Sequence, residues 1–211
     1  MQQQIIDKTV TALRRNHFEV YQAANTEEAR EVFFRDIFPA LNAETISWGD
    51  SETMKATGIM EQLQQNPDIS VIHTFGPGMS RKQKMYWRRQ ALQTDLFLTG
   101  SNALTQKGQL VNLDMIGNRV GGIHFGPKHV VLFIGINKIT EDLEAAMHRI
   151  RTLAAPQNGV RHKGLRTPCN KTGVCMDCNS PDRICNVWTI TEKSYPAGRI
   201  KIILINQELG I

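Results

Sequence analysis

Through its first hundred residues the chain alternates short β-branched or aromatic runs with longer amphipathic stretches, and this alternation restricts the fold more than any single motif. The runs FEVYQA, ETISWG, ISVIHTF and TDLFLTG read as strands. Between them, residues 3–17 set Ile6, Val10 and Leu13 on one helical face. NTEEAREVFFRDIFPAL opens with Asn25 as N-cap and Glu28 three residues on, a capping-box pattern, with Pro39 near its far end. Ser51 can cap a further helix that turns Met54, Ile59 and Leu63 inward. ISVIHTF ends at Gly76-Pro77-Gly78, and a basic helix follows. Strands separated by helices of roughly ten residues or more build parallel sheets. The expected fold is therefore α/β, a mostly parallel sheet with flanking helices.

After Gly100 the texture changes. NALTQKGQLVNLD reads as a hairpin turning at Lys107-Gly108, and IGNRVGG as a glycine-rich turn. HVVLFIGI is a continuous apolar strand of the kind buried on both faces. KITEDLEAAMHRIRTLAAP reads as a helix with Leu143, Met147, Ile150 and Ala154 on its inner side and Pro156 closing it, and RIKIILINQEL as the final strand. With no internal repeat, residues 1–211 are expected to form one α/β domain, with a cysteine-rich loop at 167–186 inserted before the last strands.

Composition is that of an ordinary globular chain, 41% hydrophobic and 21% charged. No apolar run approaches the roughly 18 residues of a membrane span. The start, MQQQIIDKTV, lacks the basic-then-apolar pattern of a secretory signal, so the expected compartment is the cytoplasm. The net charge of +5 suits an anionic small molecule, a phosphate-bearing cofactor or nucleic acid. SRKQKMYWRRQ gathers Arg81, Lys82, Lys84, Arg88 and Arg89 around Tyr86 and Trp87. A single basic helix with Met85 and Leu92 on its inner side explains that stretch without nucleic acid, which ranks last among the partners.

Ligands of open α/β sheets sit beyond the carboxyl ends of the strands. Three polar turns are candidates for that rim: WGDSET with Gly49 and Ser51, TGSNALT with Thr99, Ser101 and Asn102, and NLDMIGNRVGG with Asn112, Asp114, Gly117, Asn118 and Arg119. Gly49 and Ser51 precede a helix N-terminus, a natural anion site. Arg119 can pair with a carboxylate or phosphate. Neither GxxxxGK[ST] nor a strand-following GxGxxG is present, and such residues also serve tight turns for backbone reasons alone.

All four cysteines fall in TPCNKTGVCMDCNSPDRICN, spaced Cys169-x5-Cys175-x2-Cys178-x6-Cys185. In a reducing compartment such a cluster favours metal over disulfides. Four-cysteine zinc sites usually pair two CxxC knuckles, and only one is present, whereas iron–sulfur sites accept irregular spacing. A [4Fe–4S] cluster is the leading reading, zinc the alternative, and a metal-free redox CxxC at Cys175 and Cys178 the third. His162 precedes the loop as a spare ligand, and His124 is the one histidine near the rim.

Residues 95–139, DLFLTGSNALTQKGQLVNLDMIGNRVGGIHFGPKHVVLFIGINKI, resemble the signature of the lactate-utilisation (LUD) domain family. The matching positions include Asp95, Thr99, Ser101, Asn102, Thr105, Gly108, Asn112, Asp114, the run Gly117 to Val120, Phe125 to Pro127, Gly135, Asn137 and Lys138. WGDSETM is similar to the family's upstream W-G-x-S-x-T element. The resemblance implies a fold similar to glucosamine-6-phosphate deaminase, ribose-5-phosphate isomerase and the CoA transferases. It also implies kinship with components of a bacterial system that oxidises L-lactate to pyruvate with iron–sulfur partners. The chain looks like a single-domain branch similar to the compact C component, with an added four-cysteine loop. The expected function is that of a redox enzyme or accessory subunit acting on lactate or a related small anionic metabolite, with iron–sulfur or other redox proteins as partners. Arg119 would hold the anion and Ser101 and Asn102 would orient it. The alternative is a non-redox protein for a phosphate- or CoA-bearing ligand, with a structural zinc loop.

Overall fold

The computed structural model describes residues 1–76, 78–162 and 164–211, so Pro77 of the anticipated Gly-Pro-Gly turn lies outside the described residues. Along the chain the strands are β1 (Glu19–Ala23), β2 (Thr45–Trp48), β3 (Ser70–Val71), β4 (Leu96–Thr99) and β5 (Ala103–Thr105). They continue as β6 (Leu110–Asp114), β7 (His129–Gly135), β8 (Ile139–Thr140), β9 (Val187–Thr191) and β10 (Ile200–Ile205). Six of them form a sheet in the order β1-β10-β7-β4-β2-β3, and every pair in it is parallel. The expected α/β class with a parallel sheet is the observed one. A second sheet, ordered β8-β5-β6-β9, contains the anticipated antiparallel β5–β6 hairpin. No helix among the described residues is long and apolar enough to cross a membrane.

The period-two rule explains how β7 binds two layers at once. Val131 and Phe133 join the cluster formed with Phe33, Ile37, Met54 and Leu63 from the helices on one face. Val130, Leu132 and Ile134 join Ile6, Val10 and Leu13 of the first helix on the other. Asn25 and Ser51 cap their helices as expected, accepting from the Glu28 and Met54 amides.

Two expectations are corrected. ISVIHTF contributes only Ser70–Val71 as strand. It lies at the sheet edge beside the four-residue β2, and at Ile72 the Ser47 hydroxyl donates to the carbonyl, so a side chain takes over there. Pro156 does not close the late helix, which continues to Arg161. The turn Ile150–Ala154 is a π-helix in which the Ala155 amide reaches back to the Ile150 carbonyl. That wider turn accommodates a proline without an N–H and shifts the helical phase. Of the expected inward positions Ile150 and Ala154 are buried and Leu143 packs partly against the core, while Met147 is exposed and Ala146 takes its place.

Asp95 joins the edges of β2 and β4. Its Oδ2 accepts from the Thr45 amide at 3.0 Å and hydroxyl at 2.7 Å, and its Oδ1 accepts from Lys128 at 2.7 Å. The Lys128 ammonium, then Thr45, hold this carboxyl well below the usual carboxylate range. A depressed folded-state pKa stabilises above the unfolded value and loses that contribution as pH falls through the folded one. Asp95→Asn is therefore expected to cost about 2 kcal/mol at neutral pH and to flatten the acid side of the stability profile. Urea titrations from neutral pH down to about 3 check this, because the unfolded Asp protonates near 3.9.

Candidate functional site

After β2 the chain moves outward to β3, whereas after β4 it turns the other way, toward β7. The two loops splay apart at this switch point, and an open cavity of about 650 Å³ lies there, at the carboxyl edge of the sheet. Ser51, Ser101, Asn102, Asp114, Asn118 and Arg119 line it, as anticipated. Gly49, Thr99, Asn112 and Gly117 stand behind that wall. A Cβ on Gly49 would lie 2.6 Å from Thr99 Oγ1 and 3.0 Å from Arg119 Cγ, so the bare glycine lets the arginine stem pass. Gly117, at φ +86°, starts the helix Asn118–His124 in a backbone conformation that glycine adopts without strain.

The helix ends at this rim are already occupied by protein. The Asp114 carboxylate accepts from the amides of Met115, Arg119 and Val120, and Ser51 caps its own helix. Side-chain cations stand beside these occupied ends. Arg119 turns its guanidinium inward. Nη1 donates to Gly100 O at 3.1 Å and Asn112 Oδ1 at 2.7 Å, and Nη2 donates to Asn102 Oδ1 at 2.8 Å and Leu113 O at 3.3 Å. All four acceptors are neutral. Ser101, which donates to the Ala103 carbonyl, and Asn112 complete a scaffold around the guanidinium.

Sequence reasoning left two cations unassigned. Arg149 donates from Nη1 to the Asn102 carbonyl at 2.9 Å and from Nε to the Asn137 carbonyl at 3.1 Å. Lys138, 5% exposed, follows β7 and donates to Thr53 Oγ1 at 3.1 Å. Among the described residues, none of Arg119, Lys138 and Arg149 forms an ion pair with a carboxylate. Burial, then Arg149 and Arg119, push the Lys138 ammonium down to about 7. Burial likewise lowers both guanidinium groups. By contrast, Asp50 and Glu52 at the cavity wall are neutralised by Lys55 and by Arg161, whose Nη2 lies 3.1 and 2.5 Å from them. Lys138 stood within the G-x-N-K run without a role, and Arg149 within a helix read only for packing. Tertiary contacts bring Lys138 to the cavity and set Arg149 behind it, on the Asn102 and Asn137 carbonyls.

The cysteine segment begins with a short helix, Cys169–Thr172, and has no other regular structure before β9. Side chains shape it. Arg183 donates to the carbonyls of Cys178 and Cys185, Asp177 accepts from Arg183 and Arg151, and Asp182 accepts from Arg166. All four thiols are free, and all four line one small, mostly apolar cavity with Met176 and Ile184. Ile184 also lines the large cavity, and the neighbours Ala154 and Ala155 line the large and small cavities respectively. Among the described residues, no group of three or more His, Cys, Asp or Glu is arranged to hold a metal ion. His162 belongs to the large cavity, 3.8 Å from Asp50. His124 bonds Val120 O and Thr191 Oγ1, a structural arrangement.

The family model described as LUD domain matches residues 6–205. The chain belongs to the LUD domain family. A crystal structure of a DUF162 family protein from Deinococcus radiodurans is similar to this LUD protein with a TM-score of 0.55 at 12% identity, covering 98% of this chain and 99% of that one. That likeness is one of fold. No curated protein matches the chain. The signature residues of this LUD domain thus build the scaffold around Arg119 and the rim of one cavity, while the cysteine segment lies outside residues 95–139 and packs beside it.

Proposed function

We propose that this LUD-domain protein is a redox enzyme or accessory subunit that binds a small anionic metabolite of the lactate type in the large cavity and carries a [4Fe–4S] cluster on Cys169, Cys175, Cys178 and Cys185. The observation that carries the reading is a cavity edged by Arg119 and Lys138, neither paired with a carboxylate among the described residues, sharing the wall residue Ile184 with the space that gathers the four thiols. Buried cations without counter-ions are costly, and a carboxylate ligand offsets that cost. Four soft thiolates that line one space, with only one CxxC pair among them, suit an iron–sulfur cluster better than a single zinc ion. Bound there, a cluster would supply one-electron transfer, and other redox proteins would exchange those electrons.

The test is calorimetric titration of the anaerobically purified protein with L-lactate, malonate and inorganic phosphate. Carboxylate affinity is expected to fall roughly tenfold between about pH 6 and pH 8, as Lys138 loses its proton near 7. Binding of phosphate but no carboxylate would replace this reading with a phosphate-bearing ligand.

A further inference from the structure

We propose that Arg88 grips the carboxylate of the large cavity's ligand, and that this ligand is a 2-hydroxy acid with an aromatic or branched apolar side chain. The inference rests on the reading of the cavity as a site for lactate-type acids and names the members of that class it fits. Three arginines line the cavity, and two are already engaged. Arg119 spends both terminal nitrogens on Gly100, Asn102, Asn112 and Leu113. Arg161 is bound to Asp50, Glu52 and Asn158. Arg88 has no hydrogen-bond or ion-pair partner among the described residues, and its Nε is sealed from solvent without an acceptor.

Arg88 stands near the end of the basic helix Arg81–Gln90, and its guanidinium lies over the Phe75 ring, 5.6 Å from the centroid. Stacking covers one face of the guanidinium and leaves free its N–H edge, which can fork onto a carboxylate. A buried N–H without an acceptor is costly, and a carboxylate oxygen relieves that cost. Much of the remaining wall is apolar. The loop after β3 supplies Phe75 and the turn after β6 supplies Met115 and Ile116, all three exposed. Leu113, Leu165 and Ile184 line the same space. One exposed apolar side chain is ordinary, but three from two separate loops around one cavity mark a binding surface. The volume agrees with this. Cavities of about 300–1,000 Å³ hold drug-sized ligands, so lactate would leave most of these 650 Å³ empty.

Calorimetric titration of the anaerobically purified protein with L-lactate and L-3-phenyllactate tests both halves. Phenyllactate is expected to bind at least about tenfold more tightly, since burying a phenyl ring against an apolar wall supplies that factor. Arg88→Gln should weaken both acids by about tenfold or more. Arg89→Gln removes the same charge from an exposed neighbour that does not line the cavity, and should change neither. Ile116→Ser should cut the preference for phenyllactate and leave L-lactate affinity as it was. Thermal scans check that each variant folds. Should Arg88→Gln fail to fold, Arg88→Lys keeps the charge without the fork and should lose affinity in the same direction; should Ile116→Ser fail, the ratio of the two acids on the wild-type protein decides. Equal affinity for the two acids would overturn the apolar subsite, and unchanged affinity in Arg88→Gln would overturn the role of that cation. Either result leaves the lactate-type reading standing. Binding of neither acid would overturn that reading and this inference together.

Discussion

Arg119→Ala is expected to lower the melting temperature by roughly 6–12 °C, a far larger effect than loss of an exposed arginine. Its guanidinium satisfies Gly100 O, Asn112 Oδ1, Asn102 Oδ1 and Leu113 O. Truncation leaves these acceptors short of donors, with Asn112 and Leu113 buried. Stranding buried polar groups costs on the order of 1–3 kcal/mol each, partly relieved by relaxation. A net loss of about 3 kcal/mol, at roughly 2–4 °C per kcal/mol for a chain of this size, gives the stated range. Arg119→Lys should recover little, because an ammonium cannot present two parallel forks to four acceptors. Arg35→Ala is the control. Its partner Asp36 is adjacent in sequence and Arg35 is 67% exposed, so no measurable shift is expected. Differential scanning calorimetry of the three variants checks the series. A shift below about 2 °C for Arg119→Ala would mean that the scaffold relaxes without it.

That expectation adds a scaffolding duty to the ligand role expected of Arg119, and the reason shows what the sequence makes legible. Local patterns carried through wherever neighbours in sequence decide the outcome. Asn25 and Ser51 cap their helices, the hairpin turns at Gly108, and β7 is buried on both faces. The rim was legible because carboxyl ends of parallel strands must converge. What side chains do once gathered there was not. Ser101, Asn102 and Asn112 read as ligand contacts, yet they spend their hydrogen bonds on Arg119 and on each other. Lys138 and Arg149 acquire their meaning only from what surrounds them, since a lysine in sequence carries no sign of missing a counter-ion. The length of the late helix escaped for a related reason: Pro156 reads as a stop, and the π turn Ile150–Ala154 that lets the helix pass it leaves no mark in the sequence.

Protein purified without oxygen is expected to be brown, with about four iron and four sulfide per chain, and Cys175→Ser and Cys178→Ser should each remove most of that iron. The geometry gives the expectation a direction in pH as well. Burial pushes the Cys185 thiol up, partly offset by Arg183. A metal must displace that proton, so loading should release protons and weaken as pH falls. Loading should also stabilise the fold locally. The segment from Gly173 to Asn186 has no ladder of its own, and its exit leads straight into β9, which pairs with β6 beside the cavity. Metal bonds there would contribute to folding free energy, so stripping the group should increase amide exchange in β9 while leaving β4, β7 and β10 protected. Hydrogen exchange on loaded and stripped protein measures this. One zinc per chain in a colourless solution would overturn the cluster and make the loop a structural staple. No metal at all, with exchange in β9 unchanged by the cysteine substitutions, would leave the four thiols without a ligand role.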